Sequence, residues 1–147
     1  MTMTRNYLKM QFYSHPRNQG FARDAVAAFC LELNPTLSDL SDVKTAVSEA
    51  VTNCTVHAYK GNLGLITVEC EIEDNSLHIK VSDTGKGIPD VDKAVQPFFT
   101  TLPDDERSGM GFTIMQTFMD EFRVNSVKGE GTVVYMVKCF KPEVANA

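Results

Sequence analysis

The stretch VSDTGKGIPD, residues 81–90, closes a run in which Leu77, Ile79 and Val81 alternate with polar residues. Strand side chains alternate faces with period two, so Leu77, Ile79, Val81 and Asp83 project to one side. Three are apolar and want the core. The fourth is a carboxylate, and burying it without a donor costs several kcal/mol, on the order of a lost charged hydrogen bond or more. A ligand amino group, such as the exocyclic amine of adenine, would supply that donor. The same residues also read as a strand that ends at Ser82 and leaves Asp83 in a turn. Gly85 and Gly87 follow, residues that permit positive φ and close backbone approach.

Working outward, Ile66, Val68, Cys70 and Ile72 alternate in the same way, and Glu73-Asp74-Asn75-Ser76 between the two runs reads as a hairpin turn. Leu8, Met10 and Phe12 predict a first strand, and two more are expected at 123–127 and 132–139, joined by KGEG. Helical spacing predicts a helix over 18–33, closed by Asn34-Pro35. A second is expected over 40–59, with Ser38 or Ser41 as cap and Leu40, Val43, Val47, Ala50 and Cys54 as its apolar stripe. A short helix is expected at 91–95. A third long one starts near Gly111, with Met115, Phe118, Met119 and Phe122 inward. Long helices interleaved with antiparallel hairpins predict an α+β fold. It would be a two-layer α/β sandwich whose mixed, mostly antiparallel sheet carries helices on one face.

The 147 residues suit one domain, 1–147, with one core. A net charge of −5 and a pI near 5.1 argue against nucleic-acid binding through a basic face. No run approaches the ~20 apolar residues of a membrane span, and MTMTRNYLKMQF lacks the apolar core of a signal peptide. Cys30, Cys54, Cys70 and Cys139 are scattered without zinc-ligand spacing. A cytoplasmic protein with reduced thiols is expected.

Two further glycine pairs follow the first. Ser108-Gly109-Met110-Gly111 runs straight into a helix, whose free N–H groups and dipole suit phosphate. Gly129-Glu130-Gly131-Thr132 lies between the last two strands, where, taken by itself, a plain hairpin turn is the better account. On the second helix, Glu49 and Asn53 are four residues apart and share a side. An amide oxygen is a hard ligand that suits Mg²⁺. A carboxylate can take a proton from an attacking hydroxyl. Read alone, such a pair is an ordinary solvated helix face.

In combination these segments are familiar. Glu49-Ala50-Val51-Thr52-Asn53 resembles the N-box of the GHKL superfamily of ATPases and kinases, and Asp83-Thr84-Gly85-Lys86-Gly87-Ile88 its first glycine box. Pro97-Phe98-Phe99-Thr100-Thr101 resembles the segment before the lid. Gly109-Met110-Gly111 resembles the second glycine box and Gly129-Glu130-Gly131-Thr132 a third. Within the superfamily, SEAVTNCTVHAY, QPFFTT and ERSGMGFTIMQTFMD are similar to the anti-sigma factor serine kinases, on the sporulation side of that group.

The resemblance implies the Bergerat fold, ATP/ADP with Mg²⁺, and a homodimer. It also implies two protein partners: a sigma factor of the sigma-F type, held inactive, and an anti-anti-sigma protein phosphorylated on serine. By position, Asp83 would bind the adenine amine beside Gly85 and Gly87, with Thr132 nearby through water. Asn53 would hold Mg²⁺ and Glu49 would be the catalytic base. Thr101, Arg107, Ser108, Gly109, Met110 and Gly111 would attend the phosphates, and Arg23 would face protein partners. One residue departs from the pattern: Leu102 stands where many relatives carry lysine after the Thr-Thr pair. Arg107 or Lys86 could take over its role. The departure keeps open a sigma-sequestering switch with little catalysis, beside the related stress-response kinase.

Overall fold

The computed structural model describes residues 5–88, 91–95 and 111–140. Its sheet is built around β3 (Ser76–Asp83). That strand pairs antiparallel with β2 (Leu65–Glu73) on one side and β5 (Gly131–Cys139) on the other. β1 (Arg5–Tyr13) lies outside β2 and β4 (Glu121–Val127) outside β5, giving the order β1-β2-β3-β5-β4. Every pairing among the described residues is antiparallel, where a mixed sheet was expected. Period-two alternation sets which face is covered. Ile66, Val68, Cys70 and Ile72 of β2 are fully buried, beside Leu77, Ile79 and Val81 of β3. At roughly 1.5–3 kcal/mol for each large aliphatic side chain removed from water, this stripe fixes the register, because a one-residue slip would expose all of it.

The helices cover that face. α1 (Asn18–Phe29) tightens into a 3-10 turn, Cys30–Leu33, and stops at Asn34, whose φ of 51° is left-handed, just before Pro35. α2 (Leu37–Thr52) starts earlier than the expected residue 40. Its cap is Thr36, whose side chain accepts from the Asp39 N–H at 3.0 Å; neither Ser38 nor Ser41 caps it. Thr36 has the extended backbone a cap requires, whereas Ser38 and Ser41 already lie inside the helix. Val43, Val47 and Ala50 are buried as expected, together with Ala46 and Val51. The regular helix ends at Thr52 and continues as a π-helical turn, Asn53–Ala58, not as α-helix to Tyr59.

α3 is a short turn of helix, Val91–Ala94, and α4 spans Gly111–Phe118. α4 is shorter than expected. Met115 and Met119 point into the core, but Phe122 belongs to β4, where its ring packs 5.7 Å from that of Phe112. Lys138 of β5 points to the helix side, since its register partner is Leu77. Its ammonium donates to Asp42 of α2 at 3.1 Å and to the Phe118 carbonyl at the end of α4 at 2.9 Å. One buried cation thereby ties a strand to two helices and satisfies an orphan carbonyl at a helix end.

Candidate nucleotide site

β3 runs through Asp83, so the turn alternative does not hold: the carboxylate lies on the core face at 8% exposure. Three groups of the chain meet it. The Gly85 N–H donates to Oδ1 at 2.9 Å, and the Cys54 side chain and the Thr132 backbone lie beside it. Burial prevails and raises its pKa, against the opposing pull of the Gly85 N–H and these neighbours. The Cys54 thiol is pushed well above its ordinary value, first by burial and then by the neighbouring carboxylate.

The loop after Asp83 hugs the end of the π turn. A Cβ at Gly85 would stand 2.5 Å from the Ala58 carbonyl oxygen, so only glycine fits. The Lys86 N–H donates to that same carbonyl at 3.1 Å. Gly87 takes φ +75°, and a Cβ there would meet the Val127 carbonyl at 2.3 Å. The Tyr59 hydroxyl accepts from the Thr84 N–H at 2.8 Å and donates to the Leu65 carbonyl, tying the mouth of the loop to the start of β2.

The third glycine pair is a hairpin turn, and it also serves the site. It joins β4 to β5 and places Thr132 directly opposite Asp83. The Thr132 hydroxyl lies 2.8 Å from Ser126 Oγ, which accepts from the Ile88 N–H at 2.6 Å.

Glu49 and Asn53 stand on one run of helix, Glu49 in the last turn of α2 and Asn53 as first residue of the π turn. Both are half-buried. Gly111, the first residue of α4, faces the Asn53 amide: a Cβ there would lie 3.1 Å from Asn53 Oδ1. The positive end of α4 thus abuts the amide expected to hold Mg²⁺. Arg23, on α1, has its Nε 3.0 Å from Asp24 Oδ1. With Leu37, Leu40, Lys44 and Glu49 it lines a groove of about 470 Å³ between α1 and α2. Thr101, Leu102, Arg107, Ser108, Gly109 and Met110 lie outside the described residues.

Sequence reasoning missed three parts of this arrangement: the Cys54 thiol, the Tyr59 hydroxyl and Ser126. Cys54 counted only as one of the apolar stripe. Its contact with Asp83 joins residues 29 apart in the chain, and no local spacing signals it. Among the described residues no group of three or more His, Cys, Asp or Glu stands ready for a metal ion. No helix among them is long and apolar enough to cross a membrane.

Comparison with known proteins places this geometry. Residues 12–138 match the family model for the histidine kinase-like ATPase domain. The chain is 55% identical over 133 residues to an anti-sigma F factor of Caldanaerobacter subterraneus subsp. tengcongensis, covering 90% of this chain and 93% of that one. It is 49% identical over 138 residues to an anti-sigma F factor of Clostridium acetobutylicum, covering 94% and 96%. Among solved structures it superposes on the RsbU and RsbW domains of a Mycobacterium tuberculosis protein with a TM-score of 0.67 at 19% identity, covering 92% of this chain and 32% of that one. The catalytic domain of histidine kinase ThkA superposes with a TM-score of 0.59 at 18% identity, covering 92% and 98%. At these identities the two structures speak for the fold. The chain belongs to the histidine kinase-like ATPase family and, within it, to the anti-sigma F factors.

Proposed function

We propose that the protein is an ATP-dependent serine protein kinase that also holds a sporulation sigma factor of the sigma-F type inactive. Its phosphoryl acceptor would be a serine on the anti-anti-sigma antagonist of that sigma factor. The observation that carries the reading is Asp83. It is a buried carboxylate at a strand end, rimmed by glycine turns, and a π turn connects its surroundings to Asn53 and Glu49. A base amine fits Asp83, and Asn53 beside the start of α4 fits a phosphate-bound Mg²⁺.

The residues divide the work. Asp83 would accept the adenine amine, with Thr132 and Ser126 beside it, and so fix the nucleotide along the sheet. Asn53 would supply one oxygen ligand to Mg²⁺, which when bound neutralises phosphate charge. The N–H groups at Gly111, with Ser108, Gly109, Met110, Thr101 and Arg107 by resemblance, would attend the phosphates. Glu49 would accept the proton of the incoming serine hydroxyl. Phosphoryl transfer rests mainly on such positioning and charge neutralisation. The groove from Arg23 to Glu49 is where a protein partner would approach that carboxylate. The relatives' name, anti-sigma F factor, supports the sigma partner. A homodimer would use the edge strand β1, whose Tyr7 and Tyr13 are exposed.

The test is to mix the protein with Mg-ATP and the antagonist and weigh the antagonist by intact-mass spectrometry. A gain of one phosphate, absent with Glu49→Ala, is expected. No gain, with nucleotide bound in the same tube, would instead favour a sequestering switch without catalysis, the reading that Leu102 keeps open.

A further inference from the structure

We propose that Gln19 is a positioning residue for Glu49: from α1 it clamps the turn of α2 that carries the carboxylate. The inference rests on the reading of Glu49 as the proton acceptor.

Three hydrogen bonds make the clamp. Gln19 Nε2 donates to Thr52 Oγ1 at 2.6 Å and to the Ser48 carbonyl at 3.3 Å. The Thr52 hydroxyl donates to that same carbonyl at 2.7 Å. A hydroxyl has one proton, and Thr52 commits it to Ser48, so its oxygen can only accept from Gln19. The Ser48 carbonyl is an acceptor as well. These two groups of α2 therefore call for a partner with two donors on one atom, which the carboxamide of glutamine supplies. All three residues are half-buried, where each bond counts for more than in open water.

The clamp brackets Glu49. Ser48 precedes it and Thr52 ends the same last turn of α2. On the next rung the Asn53 N–H donates to the Glu49 carbonyl, and there the ladder widens into the π turn. A hydroxyl bonded back to the carbonyl four residues earlier loosens and bends a helix. Gln19 braces that weak point from the neighbouring helix. Arg23 stands one turn after Gln19 on α1, on the same side, and lines the groove with Ser48 and Glu49. α1 is thus the wall that faces Glu49, and Gln19 is the side chain by which this wall grips α2. It acts on the carboxylate through the backbone of residues 48–52. A displacement of about 1 Å in a reacting group can cost on the order of 10²-fold in rate. The hold therefore bears on transfer, while base recognition rests with Asp83 on the sheet.

The experiment follows antagonist phosphorylation by intact mass, with kcat and KM taken separately and ATP affinity read by calorimetry. The variants are Gln19→Met, which keeps the volume and removes the donors, Thr52→Val, Thr52→Ser, Glu49→Ala, and Gln19→Met combined with Glu49→Ala. Gln19→Met is expected to lower kcat roughly 10-fold, with the KM for the antagonist and the ATP affinity unchanged. Thr52→Val should do the same, and Thr52→Ser, which keeps the hydroxyl, should retain the rate. On top of Glu49→Ala, Gln19→Met should cause no further loss, because the group it positions is gone. Three results would overturn the proposal and leave Gln19 a plain tie between helices: an unchanged kcat in Gln19→Met, a loss of ATP affinity as large as the loss in kcat, or the same fold-loss again in the combined variant. If Glu49→Ala lowers transfer and Gln19→Met does not, the Glu49 reading stands and the Gln19 inference alone fails. Full transfer by Glu49→Ala, or no transfer by the unaltered protein, overturns both. Should Gln19→Met fail to fold, Thr52→Val carries the same comparison.

Discussion

Asp83 and Glu49 are both carboxylates of the candidate site, and the fold treats them in opposite ways. Asp83 ends the central strand, buried on the core face and held by the Gly85 N–H. Glu49 stands half-buried on α2, in a groove open to the surface between α1 and α2. A group that selects a ligand gains from rigidity and a dry setting, where one hydrogen bond discriminates strongly. A group that takes a proton from another protein's hydroxyl must be reachable by that protein. On the proposed reading, base recognition falls to the sheet and proton transfer to the helix, with the π turn between them.

The largest effect that could break this division is on phosphoryl transfer. Glu49→Ala is expected to lower the rate of antagonist phosphorylation by about 10²–10⁴-fold, with the variant's nucleotide affinity retained; a quench-and-weigh time course measures the rate. A variant that transfers at the normal rate would remove Glu49 from the chemistry. Next in size, Asp83→Asn should weaken ATP binding by roughly 10–100-fold, the worth of one hydrogen bond to a charged group. Fluorescence displacement of a labelled nucleotide would read that loss.

Acidity sharpens the comparison further. Burial holds the Asp83 pKa above the ordinary carboxylate range, which is about 3.9. The folded chain therefore binds that proton more tightly than the unfolded chain. Ionising Asp83 costs the nucleotide-free protein stability as pH rises from the ordinary value through the raised one. Nucleotide binding runs the other way, because the base amine needs an ionised acceptor. ATP affinity should fall as pH drops through that raised pKa, and the fall should be absent in Asp83→Asn. A matching fall in both proteins would assign the acid limb to another group.

The strand side of this division was legible in the sequence because period two is a strong local signal. Leu77, Ile79, Val81 and Asp83 share the core face as their spacing requires. The helix side was legible in its stripe and less so in its ends. Phe118 and Phe122 are four apart, a helical spacing, yet Phe122 stands half-buried on a strand, packed against Phe112. Thr36 caps α2 because the chain turns after Pro35, and two serines further on offered the same chemistry. The π turn changes only the hydrogen-bond register, which leaves no mark on side-chain pattern. Cys54 meeting Asp83 and Lys138 meeting Asp42 are products of tertiary packing.

Two smaller effects test whether the helical layer is tied as described. Lys138→Met removes the ammonium from Asp42 and the Phe118 carbonyl, leaves a charge and a carbonyl poorly satisfied, and should cost about 1–3 kcal/mol of stability in urea unfolding. Thr36→Ala removes the α2 cap and should cost about 1 kcal/mol in the same measurement. Neither should alter ATP affinity, since both lie outside the base pocket.

The most direct test of the division is calorimetric titration of ATP, with and without Mg²⁺, into Glu49→Ala and Asp83→Asn side by side. The account predicts that Glu49→Ala binds ATP as the unaltered protein does, while Asp83→Asn loses most of its affinity with or without the metal. Equal losses in the two variants, or full affinity in Asp83→Asn, would contradict it.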